Sequence, residues 1–155
     1  MKRKAVLVAS FGTSHTDAFE SCIRAAEISI TRALKDFEFR RAFTSRFILS
    51  KIAKRDGVFI DGPHEALERL KNEGFSSVMV QPLHILPGYE YHELKAAVME
   101  FEREGAFGNL LLGEPLLYRN EDYAAVIRAL KMHLPAGNNN PMACILMGHG
   151  TMHFC

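Results

Sequence analysis

Short apolar runs alternate along the sequence with longer stretches that carry apolar residues at helical spacing, and this alternation constrains the fold most. The first run, residues 5–10, is continuous and rich in β-prone residues, as expected of a strand buried on both faces. The stretch after it places Ile23, Ala26 and Ile30 on one side of a helix. Repetition of such units predicts an α/β fold in which a parallel sheet carries helices on both faces.

Three further strands are predicted, at residues 41–43, 77–83 and 110–112. The predicted helices begin near Ser14, Ser45, Pro63, Gly88 and Tyr123. Ser14 and Ser45 are interpreted as N-caps, because a serine hydroxyl can accept a hydrogen bond from the first turn of a helix. Ligands of parallel α/β sheets bind outside the carboxyl ends of the strands, so functional residues are expected in the loops that follow the strands.

Composition excludes several classes of protein. The net charge of +1 provides no strong field for nucleic acid or an anionic membrane, and no apolar run approaches the roughly 20 residues of a membrane-spanning helix. The three cysteines form no CxxC pair, which favours a reducing cytoplasm. Basic residues 2–4 before an apolar run imitate a signal peptide, but the run is too short, and we interpret it as the first strand.

The end of the sequence partly repeats its beginning. Residues 8–15 and 146–153 both place Gly-Thr-x-His after an apolar strand. Between them, residues 136–141 are rich in asparagine, glycine and proline and are predicted to be a linker. We therefore predict an α/β domain over residues 1–135, and the first strand and histidine loop of a truncated second domain over residues 142–155.

Position in the predicted fold separates the histidines. His64 and His133 fall on helix surfaces or ends, where solvated residues are usual. His149 lies between two glycines at a strand end, where a ligand can approach closely, and it is either a functional residue or a histidine hydrogen-bonded within a turn. His84 also ends a strand, and it is either a satisfied buried histidine or a ligand and proton relay. Glu90 in a first helical turn is either a partner of the helix dipole or a functional carboxylate.

Other candidate residues lie in the same loops. Ser10, Thr13 and Thr44 present hydroxyls at strand ends, Gly12 suits a tight turn, and Tyr89 can shape a pocket. The sequence contains no Walker loop, GxGxxG, HExxH or zinc-type cysteine pair. Histidine and carboxylate together suit Co²⁺, Ni²⁺ or Fe²⁺, and a site with so few ligands is suited to transient delivery of the metal.

These segments together resemble one enzyme family. The motifs that carry the resemblance, which runs from Lys4 to the last residue, are residues 7–14, 41–45, 54–57, 81–85, 88–91 and 147–150. They resemble the anaerobic-type sirohydrochlorin cobaltochelatases (CbiK type), relatives of the class II chelatases that include ferrochelatase. The resemblance implies a chelatase-like fold of the flavodoxin or Rossmann kind, with two similar α/β domains and a tetrapyrrole held in the cleft between them.

The resemblance also implies roles for individual residues. Glu90 and His149 match the glutamate and histidine that act at the metal-insertion site, so both are expected to bind the metal and to take part in catalysis. The family's second metal-binding histidine belongs to the second domain and is not in this sequence. The implied activity is insertion of Co²⁺, with Fe²⁺ or Ni²⁺ as alternatives, into sirohydrochlorin in anaerobic cobalamin biosynthesis, without a permanently bound cofactor.

Recognition of sirohydrochlorin is assigned to the loops at the strand ends. Its carboxylates are expected to meet the backbone N–H groups that follow Ser10 and Thr44. Arg46 is either a further partner of these carboxylates or a solvated helix residue. The expected substrate-binding residues are Ser10, Phe11, Gly12, Thr13, Thr44, Arg46, His84 and Tyr89.

Two other classes of function remain open at this point. The chain could be a half-chelatase that binds metal or tetrapyrrole without turnover, or a flavodoxin-like regulatory domain that binds neither. Self-association into a homo-oligomer could rebuild a cleft between two copies. Sirohydrochlorin and a divalent metal ion are the expected partners, and no partner role for nucleic acid or a membrane is expected.

Overall fold

The computed structural model describes residues 3–134 and Ile145 of the chain. Four parallel strands form one sheet in the order β2-β1-β3-β4. The strands are β1 (Lys4–Ser10), β2 (Glu38–Phe43), β3 (Ser77–Pro82) and β4 (Asn109–Leu112). The helices are α1 (Thr16–Ala18), continued by a π-helical segment (Phe19–Arg24) into α2 (Ala25–Ala33), then α3 (Arg46–Asp56), α4 (Pro63–Asn72), α5 (Tyr89–Arg103) and α6 (Asn120–Lys131).

The order of the strands determines where a ligand crevice lies. The chain passes from β1 to β2 on one side and then returns to place β3 on the other side of β1. Ser10 is in register with Phe43 of β2, and Ala9 is in register with Pro82 of β3, so three strands end at the same edge. The change of direction occurs between β1 and β3, which makes their carboxyl ends the topological switch point of the sheet.

Helices cover both faces of the sheet, as predicted. One face forms the apolar core, in which Leu7 and Val80 of the strands are fully buried with Leu67 of α4 and Leu94 of α5. On the opposite face, α2 is joined to the sheet through an ion pair between Glu27 and Arg41. The three-layer α/β architecture predicted from the alternation of runs is therefore confirmed.

The two serines that were predicted as N-caps can be compared with the structure. Ser45 caps α3, where its Oγ accepts a hydrogen bond from the N–H of Ile48 at 3.4 Å. The prediction for Ser14 is wrong: Ser14 is buried, and the first helix begins one residue later, with His15 at the N-cap position. Ser14 instead belongs to the turn before the helix, where its carbonyl accepts a hydrogen bond from the guanidinium of Arg55 at 2.7 Å.

The apolar residues of α6 remain on the surface of the described part of the molecule. Tyr123, Ile127 and Leu130 recur at helical spacing, yet each is close to half exposed, and none of the residues of α6 is buried. Among the described residues, the helices are also all too short or too polar to cross a lipid bilayer.

Candidate active site

The turn after β1 brings the backbone close to the end of β2. Gly12 has a positive φ of 88°, and a Cβ atom built there would lie 2.6 Å from the ring of Phe43. Only glycine fits both conditions without strain. The hydroxyl of Thr13 accepts a hydrogen bond from the N–H of His15 at 3.2 Å, so this hydroxyl helps to shape the turn.

The loops after β1, β2 and β3 meet at the switch point through Thr44. The N–H of Thr44 donates to the carbonyl oxygen of Ser10 at 2.8 Å, and its Oγ1 lies 3.4 Å from the same oxygen. The Oγ1 also lies 3.2 Å from Nε2 of His84, which follows β3. Since β2 and β3 flank β1 on opposite sides, this contact reaches across the carboxyl end of β1.

Two polar atoms at this junction have no hydrogen-bond partner among the described residues. They are the Oγ of Ser10 and the Nδ1 of His84, and both are buried. An unsatisfied buried polar atom costs about 1–3 kcal/mol, so such atoms are uncommon outside functional sites. Their position at the switch point is the one at which an α/β sheet binds its ligand.

The electrostatics of His84 favour a neutral imidazole. Burial lowers the pKa of His84 below its ordinary range, and the charge of Glu90 opposes this effect only in part. Glu90 lies in the first turn of α5, as predicted, and Tyr89 beside it is well exposed. The structure therefore places an uncharged histidine and a carboxylate near the same strand end.

Tyr91 forms the inner wall behind His84. Its ring packs edge-on to the imidazole with centroids 6.5 Å apart, and its hydroxyl donates to the carbonyl of Gly113 at 3.5 Å. Burial raises the pKa of Tyr91, with smaller contributions from Tyr118 and Glu114. The hydroxyl consequently stays protonated and serves as a fixed donor.

A cavity of about 640 Å³ borders His84 on the face of the sheet that carries α2. Ile23 and Ala26 line one side of it, and Pro82 and Leu116 line the other, so its walls are mainly apolar. A cavity of this size, with mainly apolar walls and a few polar side chains, suits a large organic ligand.

The other predicted residues lie around this junction. Arg46 lines a second cavity of about 600 Å³ next to α4 and α5, which Thr44 also lines, and Arg46 makes no ion pair within residues 3–134. Phe11 is about half exposed. The expectation for the N–H group after Thr44 is wrong, because the N–H of Ser45 donates to the carbonyl of Phe11 at 3.2 Å and is not free for a ligand carboxylate.

His149 lies outside the described residues, as do the predicted linker and the strand that precedes this histidine. Within residues 3–134 and Ile145, no group of three or more histidine, cysteine, aspartate or glutamate side chains could hold a metal ion. The described residues alone thus supply at most part of a metal site.

The sequence did not indicate the contact between Thr44 and His84. Both residues were recognised as polar groups at strand ends, but their proximity depends on β2 and β3 lying on opposite sides of β1. Tyr91 lies in the same helical turn as Glu90, and from the sequence it could either shape a pocket or belong to the core. In the structure it is buried and also packs against the imidazole of His84.

Comparison with known proteins agrees with this architecture. Residues 4–155 match the family described as cobalt chelatase (CbiK). The chain is 38% identical over 151 residues to a sirohydrochlorin cobaltochelatase from Salmonella typhimurium, covering 97% of this chain and 56% of that protein. It is 35% identical over 157 residues to the sirohydrochlorin cobaltochelatase CbiKC from Nitratidesulfovibrio vulgaris, covering 99% of this chain and 54% of that protein.

The fold has a counterpart among solved structures. A cobalamin (vitamin B12) biosynthesis CbiX protein from Marinobacter aquaeolei superimposes with a TM-score of 0.55 at 16% identity, covering 85% of this chain and 95% of that one. The chain spans about half the length of the curated relatives it matches. Because the family match extends over nearly all of its residues, the chain belongs to the CbiK cobalt chelatase family.

Proposed function

We propose that this chain takes part in inserting Co²⁺ into sirohydrochlorin. The proposal is supported by the two relatives of 38% and 35% identity, which are sirohydrochlorin cobaltochelatases. The observation that carries it is the unsatisfied buried Nδ1 of His84, a residue that lines an apolar cavity at the switch point, together with the unsatisfied Oγ of Ser10 at the end of the neighbouring strand. A tetrapyrrole offers an extended apolar ring together with N–H groups that such atoms can bind.

The reaction exchanges two protons for one metal ion. Two pyrrole N–H groups must lose their protons, and the ion must shed water before the four ring nitrogens can bind it. We assign metal binding and proton acceptance to Glu90 and His149, with His84 as a nearby relay. Neutral imidazole and carboxylate also accept Fe²⁺ and Ni²⁺, so the preference for cobalt is inferred from the relatives.

The rest of the ligand would contact the loops at the strand ends. We propose that Ser10, Gly12, Thr13 and Thr44 hold one edge of the macrocycle. Phe11 and Tyr89 are exposed enough to pack on its surface. In this proposal Arg46 binds a peripheral carboxylate from the neighbouring cavity, since a guanidinium pairs well with carboxylates.

We propose that residues 142–155 contribute His149 as the start of a second domain, after a linker at residues 136–141. A half-chelatase that binds tetrapyrrole or metal without turnover is the second candidate. It remains open because the described residues, which do not include His149, contain no three-ligand metal group. A homo-oligomer would supply further ligands from a second copy.

A turnover assay and a binding assay decide between these functions. The chain is mixed with sirohydrochlorin and Co²⁺, and the absorbance change that accompanies metal insertion is followed. His149→Ala should abolish insertion, whereas Glu90→Gln should lower the rate more than it weakens binding. His133→Ala, which changes an exposed histidine at the end of α6, is the matched control.

Each result has a definite meaning. Turnover that is lost in His149→Ala but kept in His133→Ala supports the enzyme. Binding of sirohydrochlorin without turnover supports the half-chelatase. Undiminished turnover in His149→Ala would remove that residue from the mechanism, and failure to bind either sirohydrochlorin or Co²⁺ would contradict both functions.

A further inference from the structure

The contacts of Thr44 and His84 determine which imidazole nitrogen carries the hydrogen. A threonine hydroxyl has one hydrogen to donate and two lone pairs that accept. Here the Oγ1 of Thr44 has two neighbours, the carbonyl oxygen of Ser10 at 3.4 Å and the Nε2 of His84 at 3.2 Å. The carbonyl oxygen can only accept, whereas Nε2 can donate or accept according to the tautomer.

Only one arrangement of hydrogens uses both contacts. If Nε2–H donates to Oγ1, the hydroxyl hydrogen is free to donate to the carbonyl of Ser10, and two hydrogen bonds form. If the hydroxyl instead donates to Nε2, the carbonyl contact is lost and Nδ1 carries a hydrogen. Nδ1 is buried without a partner among the described residues, so that second arrangement would leave a buried N–H unpaired. Orphaned buried N–H groups are rare because they retain no hydrogen bond to replace the one to water.

We propose that Thr44 is a positioning residue that fixes neutral His84 as the Nε2–H tautomer, so that the Nδ1 lone pair is the acceptor for a pyrrole N–H of bound sirohydrochlorin. This inference rests on the proposed function and makes its relay explicit: Nδ1 of His84 receives one of the two pyrrole protons, and the other goes to Glu90 or His149. The buried Oγ of Ser10, which also lacks a partner among the described residues, provides a second polar atom beside the carbonyl that anchors Thr44.

The proton transfer balances without another reactant. In the complex, the pyrrole N–H donates a hydrogen bond to Nδ1. During insertion the proton moves to Nδ1, and the electrons of the N–H bond stay on the pyrrole nitrogen as the lone pair that binds Co²⁺. His84 becomes an imidazolium with hydrogens on both nitrogens, and it returns its proton to water when the product leaves. The charge of Glu90 stabilises the imidazolium in the meantime.

The first test reads the tautomer directly and needs no substrate. The chain is labelled with ¹⁵N-histidine, and the two-bond ¹H–¹⁵N spectrum is recorded at a pH above the ordinary pKa of imidazole. The His84 resonances are assigned by their absence in His84→Gln. We expect Nδ1 to have the shift of an unprotonated nitrogen and Nε2 that of a protonated one. A hydrogen on Nδ1 in the wild-type chain would overturn the inference, whatever the activity of the chain.

Three variants separate positioning by Thr44 from a general effect on the fold. Thr44→Val has nearly the same shape but no hydroxyl, and it should change the exclusive Nε2–H form into a mixture of tautomers. Thr44→Ser keeps the hydroxyl and should preserve the wild-type spectrum. Ser45→Ala removes the neighbouring hydroxyl, which caps α3 and makes no contact with His84, and it should also preserve the spectrum. Equal spectra for Thr44→Val and wild type would contradict the role of Thr44.

The second test adds metal-free sirohydrochlorin and measures its Kd by absorbance in parallel. The Nδ1 resonance of His84 should move towards the protonated position on binding. Thr44→Val should weaken binding by about twofold for an even mixture of tautomers, because only the Nε2–H fraction can accept the pyrrole N–H. Tight binding that leaves the Nδ1 resonance unchanged would overturn this inference while leaving the proposed function intact. Absence of binding would instead contradict the proposed function itself.

Discussion

The turn after β1 depends on a residue without a side chain at position 12. Two independent conditions apply there: a backbone φ of +88°, and a built Cβ only 2.6 Å from atoms of the Phe43 ring. Gly57 at the end of α3 also has a positive φ of 65°, but a Cβ atom there would meet nothing within 4 Å. A side chain at position 57 would therefore introduce backbone strain alone, whereas one at position 12 would introduce both backbone strain and steric overlap.

Replacement of these glycines by alanine should therefore have unequal effects. Gly57→Ala should lower the free energy of unfolding by about 1 kcal/mol, the cost of a left-handed alanine. Gly12→Ala should lower it by about 2–4 kcal/mol, because strain at this φ and displacement of the Phe43 ring add together. Urea denaturation of both variants measures the difference. Equal losses would show that the ring of Phe43 yields without cost.

At the level of residues, the sequence predicted the positions of the candidate residues but not their contacts. Ser10, Thr44 and His84 were identified because each lies at the end of a strand, and the structure brings them together at one edge. Arg46 also follows a strand, and it lines the cavity next to α4 and α5 that Thr44 borders, not the cavity beside His84. The end of an apolar run predicts which residues lie at the end of a strand. The cavity that the next side chain faces depends on how the following helix is placed, which the run does not predict.

At the scale of the elements, β2 and α2 are joined by a buried ion pair between Arg41 and Glu27. The guanidinium of Arg41 in β2 donates to both carboxylate oxygens of Glu27 at 2.6 and 2.5 Å. Glu27 is only 3% exposed, and the guanidinium also lies 4.6 Å from the ring centre of Phe19. A paired carboxylate with such low exposure cannot lose its partner without leaving an unpaired charge.

Removal of this carboxylate should be far more costly than removal of an exposed one. Glu27→Ala should lower the free energy of unfolding by about 2–4 kcal/mol, since Arg41 keeps its charge beside an emptied site. Glu20 is the matched control, because it pairs with Arg24 on the surface of the same helical run. Glu20→Ala should cost less than about 0.5 kcal/mol. Chemical denaturation compares them, and similar losses would contradict a structural role for the buried pair.

The burial of Glu27 also shows why the packing of α2 against β2 could not be predicted from the sequence. All four strands and the main helices were anticipated, since apolar runs and helical spacing are local signals. A charged residue in a helix is normally taken as solvent-facing, and its partner Arg41 is in a different element. The π-helical segment Phe19–Arg24 was likewise not predicted, because a wider helical turn has no distinct residue pattern.

At the scale of the whole molecule, helical spacing predicted that α6 forms, but it did not predict that the apolar side of this helix is exposed. Its apolar residues Tyr123, Ile127 and Leu130 are each about half exposed. The curated relatives are about twice as long as this chain. The spacing of apolar residues thus predicted that this helix forms. It could not predict what the helix packs against, because packing partners are distant in sequence.

Buried His84 should make the stability of the whole molecule depend on pH. Burial lowers the pKa of His84 in the folded chain, whereas in the unfolded chain the pKa returns to about 6.5. Above that value His84 is neutral in both states and adds no pH dependence. As the pH falls below it, the unfolded chain binds a proton that the folded chain does not, so the free energy of unfolding decreases. The loss continues until the pH reaches the lowered pKa of the folded state.

Urea denaturation between about pH 7.5 and about pH 5.5 tests this effect, because most carboxylates stay ionised in that interval. The wild-type midpoint should fall as the pH is lowered, and His84→Gln should show a smaller fall because its side chain does not titrate. His133→Gln, with an exposed histidine replaced, should keep the wild-type dependence. Comparing slopes rather than absolute midpoints removes any constant cost of losing the contact with Thr44. If the slope in His84→Gln equals that of the wild type, another group is responsible for the loss of stability in acid.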